Sequence, residues 1–312
     1  TYNVGVAFSG KNYINWSEDI ERDYHIFKAS TNNDWNEDSN WIGGLPGIND
    51  DVTLRASVVV AEESDITVAN VMIEGSAALT INGTLNANDV TITKDASLVI
   101  NGILNAKDVI NQGAIGKLLI NDGGQLYRTA TTLLRGKFVK NIKTPTNWET
   151  AKDGWQLMAS PFTNEDQTYT DFTQFTNGVE DYDLYKYNGS ELKEWINIKD
   201  TESNGNTFGD TFVNGTGYLV AYESTSNVAL TGTFKSGTSY TIGNLVYAAE
   251  KDLANFQLLG NPFPFNMDWS NVEGYRLVDG FAVLNEDGDN YEYKTSGTIK
   301  VGEGFFIRTR GI

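Results

Sequence analysis

Residues Leu79-Thr-Ile-Asn-Gly-Thr-Leu-Asn-Ala87 return almost unchanged as Leu98-Val-Ile-Asn-Gly-Ile-Leu-Asn-Ala106. Around this pair, four apolar segments fall in line: Ser57-Val-Val-Val60, Ala78-Leu-Thr-Ile81, Ser97-Leu-Val-Ile100 and Lys117-Leu-Leu-Ile120, at spacings of 21, 19 and 20 residues. A second series, Val52-Thr-Leu54, Val71-Met-Ile73, Val90-Thr-Ile92 and Val109-Ile110, repeats every 19 residues. No such segment can bury its apolar face alone, whereas stacked copies can, which is the signature of a β-solenoid. Stacking at about 4.8 Å puts Leu79, Leu98 and Leu118 over one another, and likewise Ile81, Ile100 and Ile120. Asn82, Asn101 and Asn121 then share one strand end, where their amides can hydrogen-bond from coil to coil. Four or five coils would span roughly 20–25 Å.

A longer repeat lies downstream. Gly154-Trp-Gln-Leu-Met-Ala-Ser-Pro-Phe162 recurs as Asn255-Phe-Gln-Leu-Leu-Gly-Asn-Pro-Phe263. Asp183-Leu-Tyr-Lys-Tyr-Asn-Gly189 is followed by Phe281-Ala-Val-Leu-Asn-Glu-Asp-Gly288, and Asn214-Gly-Thr-Gly-Tyr-Leu-Val220 by Val301-Gly-Glu-Gly-Phe-Phe-Ile307. Three landmarks in the same order mark a duplicated β-unit, with Asn188-Gly189 and Asp287-Gly288 as hairpin turns. Val228–Phe234 and Ser239–Ile242 read as a further, linking hairpin. The expected fold is all-β, a short right-handed β-solenoid followed by a β-sandwich of two related units. The expected division is N-terminal strands or cap over 1–33, solenoid over 34–130, and sandwich over 131–312, with units at about 140–250 and 251–312. Tyr2–Phe8 and Tyr13–Trp16 read as strands that could cap the open coil end.

The 312 residues carry 41 acids against 23 bases, a net charge of −18. Such a chain repels phosphate backbones, so nucleic acid is not an expected partner. No apolar run is long enough to insert into a bilayer as a helix. Without Cys there is no thiol nucleophile, thiolate metal site or disulfide, and with a single His, His25, no two-histidine zinc site. His25 sits in the strand-like Asp23-Tyr-His-Ile-Phe27, where a structural or solvent-facing histidine is a better reading than a catalytic or metal-binding one. Phosphate loops, dinucleotide fingerprints and nucleophile elbows are all missing from the sequence. Carboxylates are the remaining catalytic resource, but no pair stands out by spacing, and the chain is expected not to be an enzyme. It opens on Thr1 without a charged-then-apolar leader and reads as a mature or trimmed fragment.

Two places could hold a ligand. Glu286-Asp-Gly-Asp-Asn-Tyr-Glu292 gathers oxygens that suit calcium, with Asp287 and Asp289 as ligands, or it is a solvated hairpin turn. No other cofactor is expected. Tyr185, Tyr187 and Trp195 in the first unit, with Tyr291 and Tyr293 in the second, alternate along strands. They could form a platform on which sugar rings stack, or they could pack a sheet. Trp155, Phe256 and Trp269 are expected in the core.

The stretch Asp34-Trp-Asn-Glu-Asp-Ser-Asn-Trp-Ile-Gly-Gly-Leu-Pro46, followed by Asp50-Asp-Val-Thr-Leu54, resembles the lead into solenoid segments of large secreted proteins of Bacteroidota. Leu259-Gly-Asn-Pro-Phe263, Met267-Asp-Trp269 and Gly302-Glu-Gly-Phe-Phe-Ile307 resemble a module found near the C-termini of the same proteins, often ahead of a type IX secretion sorting domain. No Lys-rich sorting tail is visible. The resemblance implies a cell-surface or released adhesin-like protein, at an extracellular or outer-membrane location, whose partner is a glycan or protein on a host or neighbouring cell. It supplies no catalytic residue. The expected role is adhesion or display, the alternative a carbohydrate-binding accessory of a glycan-degrading enzyme.

Overall fold

Each coil of the repeat carries three short strands, one more than the two apolar series indicate. In the computed structural model the described residues are 25–149, 152–163, 181–187, 195–199, 212–223, 226–243, 245, 255–274, 277–278 and 280–310. The strands expected before residue 25 and the turn at Asn188-Gly189 lie outside them.

One face stacks Val58–Val60, Ala78–Ile81, Ser97–Ile100 and Leu118–Ile120 in parallel, with Val58, Leu79, Leu98 and Leu118 in register. A second stacks Asp51–Leu54, Asn70–Ile73 and the second halves of Thr84–Ile92 and Ile103–Asn111, aligning Val52, Val71, Val90 and Val109. The third aligns Ile66, Leu85, Leu104 and Leu126, using the first halves of the same two long strands between Asp65–Thr67 and Gln125–Arg128. The result is a β-solenoid of about five turns. Leu79, Ile81, Leu85, Val90, Ile92, Leu98, Ile100, Leu104, Leu118 and Ile120 are fully buried. Each such side chain contributes about 1.5–3 kcal/mol by burial, which makes this column the main source of stability.

The asparagines behave as the repeat demands. Asn101 Nδ2 donates to Asn82 Oδ1 at 2.7 Å, and Asn121 Nδ2 to Asn101 Oδ1 at 2.7 Å. A second rung pair forms where Asn105 Nδ2 donates to Asn86 Oδ1 at 2.8 Å. Gly102 follows Asn101 because a Cβ there would lie 2.1 Å from the Gly83 carbonyl oxygen.

A parallel stack leaves unpaired backbone at both ends, and most of it is covered; among the described residues the outer side of Asp65–Thr67 on the third face has no partner strand. At the start, His25–Phe27 forms the first rung beside Asp51–Leu54 and is itself edged by Trp41–Ile42. Trp35 N donates to Val59 O, and Val59 N to Asn33 O. Trp35 and Trp41 pack edge to face at 4.9 Å, and Trp41 Nε1 donates to Trp35 O at 2.7 Å. Asn40, fully buried, donates to Asn32 Oδ1 and Asp34 O and accepts from Thr31 N and Asn32 N. The motif Asp34–Pro46 therefore caps the solenoid, and the first rung comes from inside the segment 1–33.

At the other end, Arg135–Ile142 continues the first face parallel to Leu118–Ile120 and pairs antiparallel with Ser226–Thr233. That sheet runs on past residue 130. Leu126 N donates to Pro264 O at 2.7 Å, and Tyr127 stacks on Phe265 at 4.5 Å, which closes the third face.

The two related units form four-stranded antiparallel sheets with one shared topology. Gln156–Ala159, Gly217–Tyr222, Tyr182–Tyr187 and Trp195–Asn197 lie side by side in that order, as do Phe256–Gly260, Gly304–Arg308, Phe281–Leu284 and Tyr291–Lys294. Reciprocal contacts join them: Ala159 N donates to Gly302 O at 2.9 Å and Gly260 N to Gly215 O at 2.9 Å. Met158 bridges to Glu303, and Leu259 to Thr216. Leu157, Leu258 and Phe306 fill the space between the sheets. On its other face the first sheet joins the solenoid core through Met158, Leu184, Tyr218, Val220 and Tyr222.

Two expected outcomes follow from this packing. Gly102→Ala should cost about 1–3 kcal/mol in urea unfolding, because backbone carbonyls cannot yield to the added methyl. Gly116→Ala, where nothing lies within 4 Å, should stay within about 0.5 kcal/mol. Burial pushes the Tyr218 phenol up to about 12 and raises that of Tyr222 as well. The unfolded chain gives up both protons near pH 10 while the folded chain keeps them, so folding stability is full below about pH 10 and falls above it. The urea midpoint should drop by the equivalent of about 1.4 kcal/mol per pH unit for each tyrosine, and Tyr218→Phe should flatten the slope.

Candidate functional site

Strand alternation decides which rings meet. In Gly304–Arg308, Phe305 and Ile307 face a small core with Trp269, Phe281 and Val283, so Phe306 faces the opposite sheet. In Tyr182–Tyr187, Leu184 points into the solenoid-side core, which turns Tyr185 and Tyr187 toward Phe306. Tyr291 and Tyr293 stand opposite Leu284 and Ala282, on the same side again.

Phe306 is the hub. Its ring centroid lies 5.0 Å from Tyr187, 5.9 Å from Trp195, 5.6 Å from Tyr291 and 6.5 Å from Phe256, each near perpendicular. Tyr187 meets Trp195 at 5.1 Å, and Tyr185 bridges Trp155 at 5.9 Å to Trp195 at 6.4 Å. Edge-to-face contacts of this kind add about 0.5–1.5 kcal/mol each beyond area burial. Three of the five rings singled out in the sequence, Tyr187, Trp195 and Tyr291, thus gather around one residue that was not, and Tyr185 reaches them through Trp195. The signal for Phe306 lay in Gly-Phe-Phe-Ile, where alternation sends consecutive phenylalanines to opposite faces.

The rings divide into two kinds. Tyr185, Tyr187 and Trp195 are half-buried between the sheets. Tyr291 is 52% exposed and Tyr293 62%, on the edge strand Tyr291–Lys294, whose other face carries a Glu292–Lys294 ion pair at 3.0 Å. Desolvation on its Phe306 side raises the Tyr291 phenol above the ordinary tyrosine range. Trp269 is buried as expected, whereas Trp155 and Phe256 are only partly so.

The acidic turn is committed to local partners. Asp287 Oδ1 takes an ion pair from Lys143 at 2.7 Å, whose ammonium is held above its usual range by that hydrogen bond. Asp289 Oδ1 accepts from Asn285 Nδ2 at 2.8 Å. Gly288, with φ of +69°, fits against the Trp155 backbone, and Gly154 N donates to Asp287 O at 2.8 Å. The turn therefore docks one unit on the other. Among the described residues no three His, Asp or Glu side chains gather around a common point.

His25 is buried at the start of the solenoid. Its Nδ1 lies 2.7 Å from Gly44 O and its Nε2 3.2 Å from Asp50 Oδ2, off the line of a hydrogen bond. Asp50 also accepts from Gly47 N at 2.6 Å, so the imidazole ties the Gly43-Gly44 turn to the first rung.

Residues 26–274 match the profile of a domain of unknown function (DUF8693). No curated protein and no solved structure matches the chain.

Phe306→Ala should lower stability by about 3–5 kcal/mol, the cost of emptying a packed aromatic site. Tyr293→Ser, at the exposed edge, should stay within about 0.5 kcal/mol. Equal losses in the two variants under urea denaturation would show that the rings form a single buried cluster with no presented face.

Proposed function

We propose that this chain, which belongs to the DUF8693 family, is a non-catalytic adhesion or display module at an extracellular or outer-membrane surface, of the kind its lead-in motif resembles. The observation that carries this reading is the division of the ring cluster. Three rings hold the sheets together, while Tyr291 and Tyr293 stand largely exposed on an edge strand. A stiff solenoid supports the same reading, because it can hold a contact surface away from its attachment. The charge of −18 keeps neighbouring copies apart, and weak contacts repeated over many copies give firm attachment through avidity. The exposed tyrosine pair also favours a second reading, a carbohydrate-binding accessory in which sugar faces stack on Tyr291 and Tyr293.

Beads coated with the chain should be retained on layers of host or neighbouring bacterial cells. The double variant Tyr291→Ser, Tyr293→Ser should lose most of that retention while staying folded, at a stability lower by about 0.5–1.5 kcal/mol from the lost Tyr291–Phe306 contact. Retention no greater than that of bare beads, or equal retention by the double variant, would overturn the adhesion reading. A glycan array probed with the same two proteins separates the two readings, since only the accessory module needs a sugar ligand.

A further inference from the structure

The repeated phrase Leu-Asn-Ala, at Leu85–Ala87 and Leu104–Ala106, does more than pack coils. It lines a groove of about 610 Å³ along the corner where the second and third faces meet. Strand register stacks Thr67, Asn86, Asn105 and Tyr127 as one wall of that groove. Ala87 and Ala106 form its floor, and Asn88, Lys107 and Thr129 its exposed rim. The cap loop closes one end with Ile48 and Asn49, and Thr238 borders the other side.

Four properties narrow the occupant. The chain carries 41 acids, yet none lines the groove. Two carboxylates beside it are occupied: Asp65 accepts from Asn86 Nδ2 at 2.9 Å, and Asp108 pairs with the buried Arg128 at 2.8 Å. What faces the groove is apolar carbon from Ile48, Val68, Ala87, Ala106 and the Tyr127 ring, set with amides and hydroxyls, the Arg128 guanidinium already held by Asp108, and the exposed ammonium of Lys107, which has no ion pair among the described residues. The same amide recurs from coil to coil at about 4.8 Å, so a ligand that uses both copies equally must itself repeat. The sheet edge beside the groove is the three-residue strand Asp65–Thr67, which pairs with Thr84–Ile92 alone and is too short to hold a long extended peptide. The overall charge disfavours a polyanion.

We infer that this groove binds a linear, neutral polysaccharide laid along the solenoid axis, with Asn86 and Asn105 hydrogen-bonding successive sugar units and Lys107 bonding hydroxyls at the rim. The site is separate from the Tyr291 and Tyr293 edge, and the inference does not depend on the adhesion reading.

The solenoid supplies its own control. Asn101 and Asn105 each donate one coil-to-coil amide bond, at 2.7 and 2.8 Å, but only Asn105 lines the groove. The full chain would be run through native gels containing soluble xylan, glucomannan or mixed-linkage glucan, with polygalacturonate as the anionic arm. Retardation is expected in at least one neutral gel. Apparent affinity should fall about three- to tenfold in Asn105→Ala and in Lys107→Ala, the loss of one hydrogen bond. In Asn101→Ala it should be unchanged, although that variant loses two coil-to-coil bonds and should lower the urea midpoint at least as far as Asn105→Ala. The inference is overturned by the absence of retardation in every neutral gel, by retardation in polygalacturonate alone, or by equal weakening in Asn101→Ala and Asn105→Ala. Retardation kept by Asn105→Ala but lost by Tyr291→Ser, Tyr293→Ser would overturn it too, and would place the sugar on the tyrosine edge.

Discussion

Parallel register between successive coils is the constraint on which this structure rests. Every strand pairs with the one a coil away, so each position meets its own repeat at about 4.8 Å. Apolar residues then stack into a column closed to water, as Leu79, Leu98 and Leu118 do. Polar residues at a shared position must also satisfy one another. Asparagine does so because its side chain carries a donor and an acceptor, so each amide gives to one neighbour and receives from the next. Aspartate at every such position would instead stack like charges. In the column of Asp51, Asn70, Asp89 and Asp108, Asn70 donates to Asp51 at 2.7 Å, and Arg128 neutralises Asp108 at the far end.

The same register creates a problem at the two ends, and the chain solves it by different means. At the first end two of the three faces are closed locally, by tryptophans and a buried asparagine within about one coil of sequence from the first full rung. The second is closed by segments far along the chain, the strand Ser226–Thr233 and the loop around Pro264. Closing the second end requires the downstream sheets to be in place. The solenoid is thus not a free pillar with a sandwich attached, because the sandwich supplies its last hydrogen-bond partners.

This asymmetry explains what was legible in the sequence. Coil spacing, the ladder of Asn82, Asn101 and Asn121 and the duplicated units could all be read, because each depends on residues recurring at a fixed interval. The third strand of each coil was hidden, since Thr84–Ile92 and Ile103–Asn111 turn a corner without a break and leave no turn signal between faces. The cap was visible as a motif while its role was not, because pairing of Trp35 with Val59 is a contact between segments of unlike sequence. The candidate rings could be listed from alternation alone. Their convergence on Phe306 depends on how one sheet lies over the other, and that comes from contacts such as Met158 with Glu303, which no local pattern encodes.

Duplication also separates two tasks that one unit could not perform at once. A sheet that closes a solenoid must bury one face against it, and the first unit does so with Tyr218 and Tyr222 at 0% exposure. Its opposite face is covered by the second unit, so its rings are held between the two sheets. The second unit has no solenoid to close. Its outer face is sealed by a small core of Trp269, Phe281, Val283 and Phe305, and its edge strand stays open. There a tyrosine is fixed by packing on one side and still presents the other side to a partner. The exposed pair accordingly lies in the second copy, and the first copy serves as the joint that holds it in place.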